Sequence, residues 1–419
     1  MSYRRSMTRT NNLRSTVVTL LFLALVFASA FGQQPSQSAR RNMRGLARLA
    51  GRGPQRNGTG EAQILSTTPQ WTSSFNFTTD TPLTAASSVY DPATNTMIVF
   101  AGFDWGMEGS DTNAALLYAP ANGNGNWTTL IANGVAGSPA ARDGHSAVYD
   151  SANNRMIVFG GEILPSFTNL NDVWVLSNAN GQGGTAVWTQ LSPSGSPPAA
   201  RSFHTAVYDA ANNLMTIFGG GNFTQSFSDV WVLSNANGLG GTPVWTQLSP
   251  GGLLPTGVFS SSAVYDPANN IMTVFGGANL AFTAYSNGVW TLSHANGLGG
   301  TPQWTNIVAN GAAGSPTKRI SHTAVYDTAN NRMIIFGGEA FSGRFSISGF
   351  NDVWVLANAN GLGGTPVWTR LKPSGLAPGT RFGHTAVYDA INNRMMVFGG
   401  ENLDAVFYVT WVLSHANGL

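Results

Sequence analysis

The sequence predicts an all-β fold built from six copies of one four-stranded unit, and three observations carry that prediction. A segment of the type HTAVYDAANNLMTIFGG recurs six times. Runs such as MIIFGG are apolar almost throughout, as expected for strands that are buried on both faces. The spacing of the copies is nearly even, at 59, 59, 57, 61 and 62 residues between the tyrosines that anchor them: Tyr90, Tyr149, Tyr208, Tyr265, Tyr326 and Tyr388. A long fixed period indicates one supersecondary unit that is copied and stacked.

Each copy contains four strand-like stretches, and the third copy shows them in order. The first is HTAVYD around Tyr208, and an Asn-rich turn leads from it into the second at Met215–Gly220. A variable loop precedes the third stretch, Asp229–Ser234. The turn NANGLGGTP then leads to the fourth, Val244–Leu248. Strands this short, with turn signals at every join, predict antiparallel sheets of four strands each.

Two recurring features resemble those of Kelch repeats. A Gly-Gly pair ends the second strand, and tryptophans recur in the third and fourth strands. The glycine pairs are Gly160-Gly161, Gly219-Gly220, Gly276-Gly277, Gly337-Gly338 and Gly399-Gly400, with Ala101-Gly102 in the first copy. The tryptophans are Trp174, Trp231, Trp290, Trp354 and Trp411 in the third strands, and Trp127, Trp188, Trp245, Trp304 and Trp368 in the fourth. The resemblance covers residues 70–419 and implies a β-propeller with six four-stranded blades.

The chain stops after the sixth third strand, so the last copy lacks a fourth strand at its own end. Trp71 supplies one, because it precedes Tyr90 by 19 residues, much as Trp188 precedes Tyr208 by 20. We therefore expect the strand around Trp71 to pair with the strand of Trp411 and close the ring, which removes the open sheet edges. The propeller is assigned to residues 66–419.

The N-terminus has the pattern of an export signal. Four arginines precede an apolar run at Val17–Phe27, and small residues at Ala28–Ala30 suit a signal peptidase. We expect a signal peptide at residues 1–30, cleaved near Ala30, and no membrane span in the mature chain. The protein is then secreted, periplasmic or on the cell surface. An uncleaved anchor is the alternative.

Charge is distributed unevenly along the chain. Residues 1–56 hold ten of the 21 Lys and Arg and none of the 19 Asp and Glu, which leaves the rest of the chain with eight more acids than bases. The repeats are therefore acidic, and this disfavours nucleic acid as a partner. The Arg/Gly-rich residues 31–65 predict a disordered linker. Its Arg40–Arg56 portion is either a solvated spacer or a weak contact to an anionic envelope.

An R-x-x-H pattern opens four copies. The pairs are Arg142/His145, Arg201/His204, Arg319/His322 and Arg381/His384. Recurrence in four blades favours a structural role, with each histidine hydrogen-bonded between blades, because a single active site does not need four copies. The alternative is that Arg142, Arg201, Arg319 and Arg381 contribute to a ligand mouth.

Strand direction alternates, so the loops that enter the first strands share one face with the loops between second and third strands. The latter loops differ most between copies, and variable loops on a repeated frame are typical binding sites. Their aromatic residues are candidate ligand contacts in sugar or protein recognition, or else caps on their own blades. These residues are Phe103, Trp105, Phe167, Phe223, Tyr285, Phe345 and Tyr408.

The acids of these loops offer a further possibility. Asp104, Glu108, Asp111, Glu162, Glu339 and Glu401 could form a calcium site or an acid pair, although their spacing matches no calcium-loop signature. Galactose oxidase, a secreted Kelch enzyme, forms its copper-radical site from a tyrosine crosslinked to a cysteine. This chain has no cysteine, which disfavours copper oxidase activity, thiol catalysis and disulfides.

The sequence thus predicts an exported propeller that binds a glycan or protein ligand through variable loops on one face. No catalytic residue, metal or cofactor is assigned. An exported carbohydrate-active enzyme, such as a mutarotase or epimerase, is the second candidate. A purely structural surface protein is the third.

Overall fold

The structure is a computed structural model that describes residues 68–74, 82–105, 109–255, 258–341 and 347–419. The regular structure in these ranges is β-strand, and it forms six four-stranded antiparallel blades. The predicted signal peptide, residues 1–30, and the predicted linker, residues 31–65, lie outside the described residues. Within the described ranges, no helix has the length and apolarity needed to cross a membrane.

The blades follow one another along the chain, each running from an inner to an outer strand. Blade 1 consists of β3 (Ser87–Asp91), β4 (Thr96–Asp104), β5 (Ser110–Ala119) and β6 (Asn126–Ile131), with the two-residue β2 (Leu83–Thr84) on the extension of β4. Blade 2 consists of β7 (Ser146–Asp150), β8 (Arg155–Ile163), β9 (Thr168–Ser177) and β10 (Val187–Leu191). Blade 3 consists of β11 (Thr205–Asp209), β12 (Leu214–Phe218), β13 (Val230–Ser234) and β14 (Val244–Leu248).

Blades 4 to 6 repeat this order. Blade 4 consists of β15 (Ser262–Asp266), β16 (Ile271–Phe275), β17 (Val289–Ser293) and β18 (Gln303–Val308). Blade 5 consists of β19 (Thr323–Asp327), β20 (Arg332–Phe336), β23 (Val353–Ala357) and β24 (Val367–Leu371), with a separate ribbon of β21 (Glu339–Phe341) and β22 (Ile347–Gly349). Blade 6 consists of β25 (Thr385–Asp389), β26 (Arg394–Phe398), β27 (Thr410–Ser414) and β1 (Gln70–Ser74).

The N-terminal strand closes the ring, as the sequence predicts. β1 pairs antiparallel with β27, and Trp71 lies opposite Leu413. Blade 6 is therefore made from the two ends of the propeller. This pairing makes the first and last blades neighbours. It also supplies the fourth strand of blade 6, so that the third strand β27 has a partner on both sides.

The core lies between the blades. In every pair of neighbours, the fourth-strand tryptophan of one blade packs on the second-strand phenylalanine of the blade before it. The six ring-centroid distances are between 4.3 and 5.1 Å, for Phe100–Trp188, Phe159–Trp245, Phe218–Trp304, Phe275–Trp368, Phe336–Trp71 and Phe398–Trp127. Large aromatic area buried in one repeated contact explains why both residue types recur at fixed offsets.

In blades 3 to 6 the second strand ends before the glycine pair, earlier than the sequence suggests. β12 stops at Phe218, because Gly219 and Gly220 both have positive φ angles, 73° and 74°. A side chain at Gly219 would also place its Cβ 2.6 Å from the carbonyl oxygen of Val258 in blade 4. Only glycine accepts both this backbone conformation and this approach of the next blade.

Three of the variable loops predicted from the sequence are partly strand. β4 runs to Asp104 and β8 to Ile163, and each continues its pairing past an irregularity at the glycine pair. Blade 5 adds the ribbon of β21 and β22 at the same place. Sequence patterning missed these extensions because a bulge resets the alternation of side chains within the strand.

Ring closure by β1 predicts a large effect of Trp71→Ala. Trp71 is 3% exposed and contacts both Phe336 and Trp411, so we expect a loss of about 3–5 kcal/mol in the free energy of unfolding, measured with urea. Leu376→Ala is the matched apolar control, because Leu376 is 76% exposed. Equal stability of Trp71→Ala and the parent would contradict closure by β1.

Candidate functional site

A ring of backbone hydrogen bonds surrounds the central axis where the chain enters the first strands, on the variable-loop face. Each blade contributes one residue, whose N–H donates to the carbonyl oxygen of the equivalent residue in the preceding blade over 2.7–3.3 Å. This mouth ring consists of Ala85, Gly144, Phe203, Ser260, Ser321 and Gly383, all with positive φ. It is closed, because Ala85 in blade 1 donates to Gly383 in blade 6.

The mouth ring narrows the central channel at this end. Neighbouring backbones joined in this way lie about 5 Å apart, so the six residues span roughly 10 Å between opposite Cα atoms before atomic radii are subtracted. Sugars and peptides cannot pass such an opening. The ring therefore closes the channel to molecules of this size at the variable-loop end.

The histidines of the R-x-x-H pattern lie just beneath the mouth ring and join neighbouring blades. His204 Nε2 is 2.8 Å from Ser146 Oγ in blade 2, and the other three make the same contact at 2.6–2.9 Å, His145 with Ser87, His322 with Ser262 and His384 with Thr323. Burial and the adjacent Arg142 lower the pKa of His145 to about 3. These are neutral, buried inter-blade links, which supports the structural interpretation.

The arginines of the same pattern form clamps inside blades 2, 3 and 5. In blade 3, Arg201 donates to the backbone oxygen of Gly219 and binds Asp229 through both terminal nitrogens, at 2.7 and 3.0 Å. The indole N–H of Trp231 donates to the same carboxylate at 2.7 Å. Arg142 with Asp172 and Arg319 with Asp352 repeat this arrangement.

The arginine side chains that the sequence offers as possible ligand contacts have almost no exposed surface. Arg142, Arg201 and Arg319 are 0% exposed and Arg381 is 1% exposed. The first three have their guanidinium groups bound by carboxylates of their own blade. Their placement supports a structural role for these three, and their contact with a ligand stays a prediction.

Blades 1 and 4 lack both members of the clamp. Leu83 and Val258 occupy the arginine position, and Ala114 and Gly288 occupy the aspartate position. Joint loss fits the energetics, because either charge alone would be buried without a partner. Blade 6 is different: it keeps Arg381 but has Val409 at the aspartate position.

Carboxyl groups form an acidic arc around the mouth ring on blades 1, 2, 5 and 6. Its members are Asp111, Asp143, Glu162, Glu339 and Glu401. Burial raises the pKa of Asp111 and Glu162 to about 7 and that of Glu339 and Glu401 to about 8. The pKa of Asp143 is raised by burial first and then by the charges of Glu162, Asp111 and Glu401, so acids of blades 1, 2 and 6 contribute to the field at Asp143.

The acidic arc gathers some of the acids singled out in the sequence, with one addition. Asp111, Glu162, Glu339 and Glu401 belong to it, whereas Asp104 is buried in β4 and Glu108 lies outside the described residues. Sequence patterning missed Asp143. Its position directly after Arg142 of the repeated R-x-x-H pattern could have indicated that it lies near the mouth ring. Among the described residues, no group of three or more Asp, Glu or His has a geometry that could hold a metal ion.

An aromatic arc covers the face on blades 2 to 4. Phe167 contacts Phe223 at 5.3 Å, and a second series runs from Phe203 to Phe259 at 5.1 Å and on to Phe282 at 5.7 Å. The series ends at Tyr285, 6.4 Å from Phe282. The sequence pattern does not single out Phe203, Phe259 and Phe282, although Phe203 directly precedes a repeated histidine.

The remaining aromatic candidates lie apart from this arc. Phe103 and Trp105 contact each other at 4.9 Å on blade 1, and the Trp105 indole N–H donates to Thr84 Oγ1. Tyr408 on blade 6 is 43% exposed, and Phe345 lies outside the described residues. The structure thus places the described candidates on one face but in separate groups.

The opposite end of the channel has a different lining. Valines and tyrosines of the inner strands of all six blades line a cavity of about 310 Å³. In blade 3, Tyr208 donates to Asn213, Asn213 to Asn237, and Asn237 to Asp150 of blade 2. Equivalent Asn–Asp contacts recur between other blades, so the near-identical turns of this face act as inter-blade links.

Comparison with known proteins agrees with this architecture. The family described as "KLHDC2/KLHL20/DRC7 Kelch-repeats domain" matches residues 93–295. Kelch domain-containing protein 3 of Bos taurus is 28% identical over 268 residues, 61% of this chain and 64% of that protein. Rab9 effector protein with kelch motifs of Mus musculus is 28% identical over 53% of each chain. The chain therefore spans less than two thirds of the length of these relatives.

A solved structure shows the same fold. The structure described as "Structure of YjhT" superposes with a TM-score of 0.57 at 16% identity, and it covers 79% of this chain and 95% of that chain. At this level of identity the likeness concerns the arrangement of blades alone.

The acidic arc predicts that stability depends on pH. The pKa of Glu339 rises from 4.5 to about 8 on folding, so between these values the unfolded chain releases a proton that the folded chain retains. The free energy of unfolding therefore falls as pH rises from about 5 to 8. We expect Glu339→Gln to reduce this fall by roughly 1–3 kcal/mol in urea unfolding at several pH values. Asp404→Asn, at an exposed acid, is the control and leaves the pH profile unchanged.

The clamps predict strong coupling between Arg201 and Asp229. Asp229→Ala leaves a buried guanidinium unpaired, and we expect it to cost about 3–5 kcal/mol in thermal or urea unfolding. The double variant Arg201→Leu/Asp229→Ala copies the residues of blade 1, and we expect it to lose less than Asp229→Ala alone. A double variant less stable than either single one contradicts the clamp.

Proposed function

Because the chain belongs to the Kelch-repeat β-propeller proteins, we propose that it is a binding scaffold whose variable-loop face holds a protein partner. Kelch-repeat propellers of this kind typically serve as protein-interaction scaffolds. The observation that carries the proposal is the chemistry of this face. An acidic arc and an aromatic arc lie side by side above a mouth ring too narrow to admit a ligand.

The described surface of the propeller carries few charged side chains, which favours recognition of a ligand through aromatic contacts and hydrogen bonds. In the part of the chain that the structure describes, the exposed charged side chains are Lys318, Arg370, Lys372 and Asp404. Aromatic residues on a rigid frame supply contact area at small entropic cost. An uncharged glycan would suit the same chemistry, and it is the alternative ligand within this proposal.

Export remains part of the proposal through the N-terminal sequence. The arginines, apolar run and small residues of positions 1–30 support secretion of the propeller to the periplasm or cell surface. The partner is then an envelope or extracellular protein.

The acidic arc favours one second candidate, acid–base catalysis on a small sugar. Carboxyl groups with a pKa of about 7 or 8 can both donate and accept a proton near neutral pH. A mutarotase assay on simple sugars tests this reading. Activity that is lost in both Glu339→Gln and Glu401→Gln supports it, and activity that survives both substitutions counts against it.

Site-directed crosslinking on the full chain tests the binding face. A photoreactive residue at position 223 or 408 is expected to capture a protein from the envelope and extracellular fractions of the source cell. The same residue at position 298 is the matched control, because Leu298 is 48% exposed in a turn of the opposite face. Capture that is equal at position 298 contradicts the assignment of the face.

Once a partner is captured, we expect Tyr408→Ala or Phe223→Ala to weaken its affinity about 10-fold or more, since aromatic residues are common energetic centres of interfaces. Calorimetry or surface plasmon resonance measures the change. The same preparations applied to a glycan array decide between protein and glycan, because a specific glycan signal lost in these variants makes the glycan the ligand.

A further inference from the structure

Arg381 differs from the other three clamp arginines in its partner. In blades 2, 3 and 5 a carboxylate of the same blade binds the guanidinium at 2.6–2.7 Å. In blade 6, Val409 stands at the position of that aspartate. Among the described residues, none places a carboxylate within 4.0 Å of Arg381.

The rest of the clamp is retained in blade 6. Arg381 donates to the backbone oxygens of Gly379 and Gly399 at 3.3 and 3.0 Å, and its guanidinium lies over the ring of Phe407, 4.2 Å from the centroid. Arg201 makes the equivalent contacts with Ala199, Gly219 and Phe227. The Arg381 side chain is therefore held in the orientation that binds a carboxylate in blade 3.

Retaining this arginine without a carboxylate is energetically unfavourable. Arg381 is 1% exposed, and burial lowers its pKa to about 9, which leaves it charged at neutral pH. Blades 1 and 4 avoid an unpaired charge because they replace the arginine by Leu83 and Val258. A buried cation without a partner destabilises a fold unless something else binds it.

Blades 2, 3 and 5 show which position an anion would occupy beside the arginine and which groups would bind it. In blade 3, one carboxylate oxygen of Asp229 accepts from Arg201 NH1, and the other accepts from Arg201 NH2 and from the indole N–H of Trp231. Three N–H donors thus converge on one carboxylate. The aspartate side chains there are 22%, 23% and 12% exposed, so solvent reaches this position.

We propose that Arg381 and the indole of Trp411 form a carboxylate-binding site on blade 6, at the variable-loop face beside Tyr408. Trp411 has the strand position of Trp231, two residues after Val409 and opposite Val397, and its ring also packs edge-on against Trp71, with 6.5 Å between the centroids. A ligand carboxylate then takes the three N–H bonds that Asp229 takes in blade 3. Charge-assisted and bidentate bonds of this type are the strong ones in carboxylate recognition.

Val409 is compatible with this site. Valine and aspartate have similar size near the backbone, but the carboxylate oxygens of aspartate extend one bond further than the methyl groups of valine. In blade 3 the equivalent oxygen positions are the ones that the donors of Arg201 and Trp231 reach. A carboxylate oxygen of a ligand that enters from the solvent can occupy the equivalent positions in blade 6 without displacing Val409.

The source of the carboxylate follows from the proposed function and rests on it. If the variable-loop face holds a protein, an acidic side chain or chain terminus of that protein supplies the group. Tyr408, 43% exposed and next to Val409, would contact the adjoining part of the ligand. The anion chemistry itself depends only on Arg381 and its surroundings.

Val409→Asp in the full chain is the decisive variant, because it places in blade 6 the carboxylate that blades 2, 3 and 5 carry. We expect it to fold and to raise the thermal midpoint of unfolding. Sodium formate is the probe. We expect formate to raise the thermal midpoint of the parent by about 1–3 °C. For Val409→Asp, we expect the formate concentration that gives half of the maximal shift to be at least 10-fold higher.

General salt effects cancel in this comparison, since both proteins are measured in the same solutions. Val409→Asn supplies the shape without the charge and should keep most of the formate response. Asp80→Asn removes the one acid of residues 75–81, which lie outside the described structure, and should leave both stability and the formate response unchanged. An equal formate response in the parent and Val409→Asp overturns the proposal, as does a loss of stability in Asp80→Asn.

Failure of this site and failure of the proposed function give different results. If formate acts as expected but crosslinking at positions 223 and 408 captures nothing, the anion site stands and the protein partner does not. If a partner is captured and Val409→Asp binds it with unchanged affinity, the scaffold function stands and the carboxylate contact is wrong.

Discussion

Each blade depends on the next through one hydrogen bond at its glycine pair. The N–H of the second glycine, such as Gly220, donates to the carbonyl oxygen at the clamp position of the following blade, here Val258. The contact recurs at all six joints, with N–O distances of 2.8–3.0 Å. It requires positive φ and a close backbone approach at the same place, and glycine alone permits both. The mouth ring, the histidine links and the Phe–Trp contacts lie around this joint.

This joint also determines where function can reside. Because the blades meet so closely, the mouth ring narrows the channel, and the inner-strand cavity lies away from the variable loops. On the variable-loop face, the surface above the mouth ring is where we propose that binding occurs. Six similar blades could make that face uniform, but the substitutions do not follow the sixfold symmetry. The acidic arc lies on blades 1, 2, 5 and 6, and the aromatic arc lies on blades 2 to 4, with separate aromatic residues on blades 1 and 6.

Comparison among the blades separates structural residues from candidates for binding. The clamp shows this most clearly, because arginine and aspartate are present together in blades 2, 3 and 5 and absent together from blades 1 and 4. Blade 6 alone breaks the rule with Arg381 and Val409. A repeated residue is best explained by the fold, whereas an exception that leaves a buried charge calls for a partner.

Sequence alone determined the number of blades, their strands and the closing role of Trp71, because these depend on local patterns that repeat at a fixed period. It also predicted histidine links between blades. Tertiary structure alone decided that Arg142, Arg201 and Arg319 are buried in clamps, since their aspartates lie 28–33 residues away. It likewise revealed the mouth ring, the strand extensions past the glycine pairs and the place of Asp143 in the acidic arc. These features depend on which residues of different blades meet at the axis, and that meeting is set by the packing of whole blades and not by any local pattern.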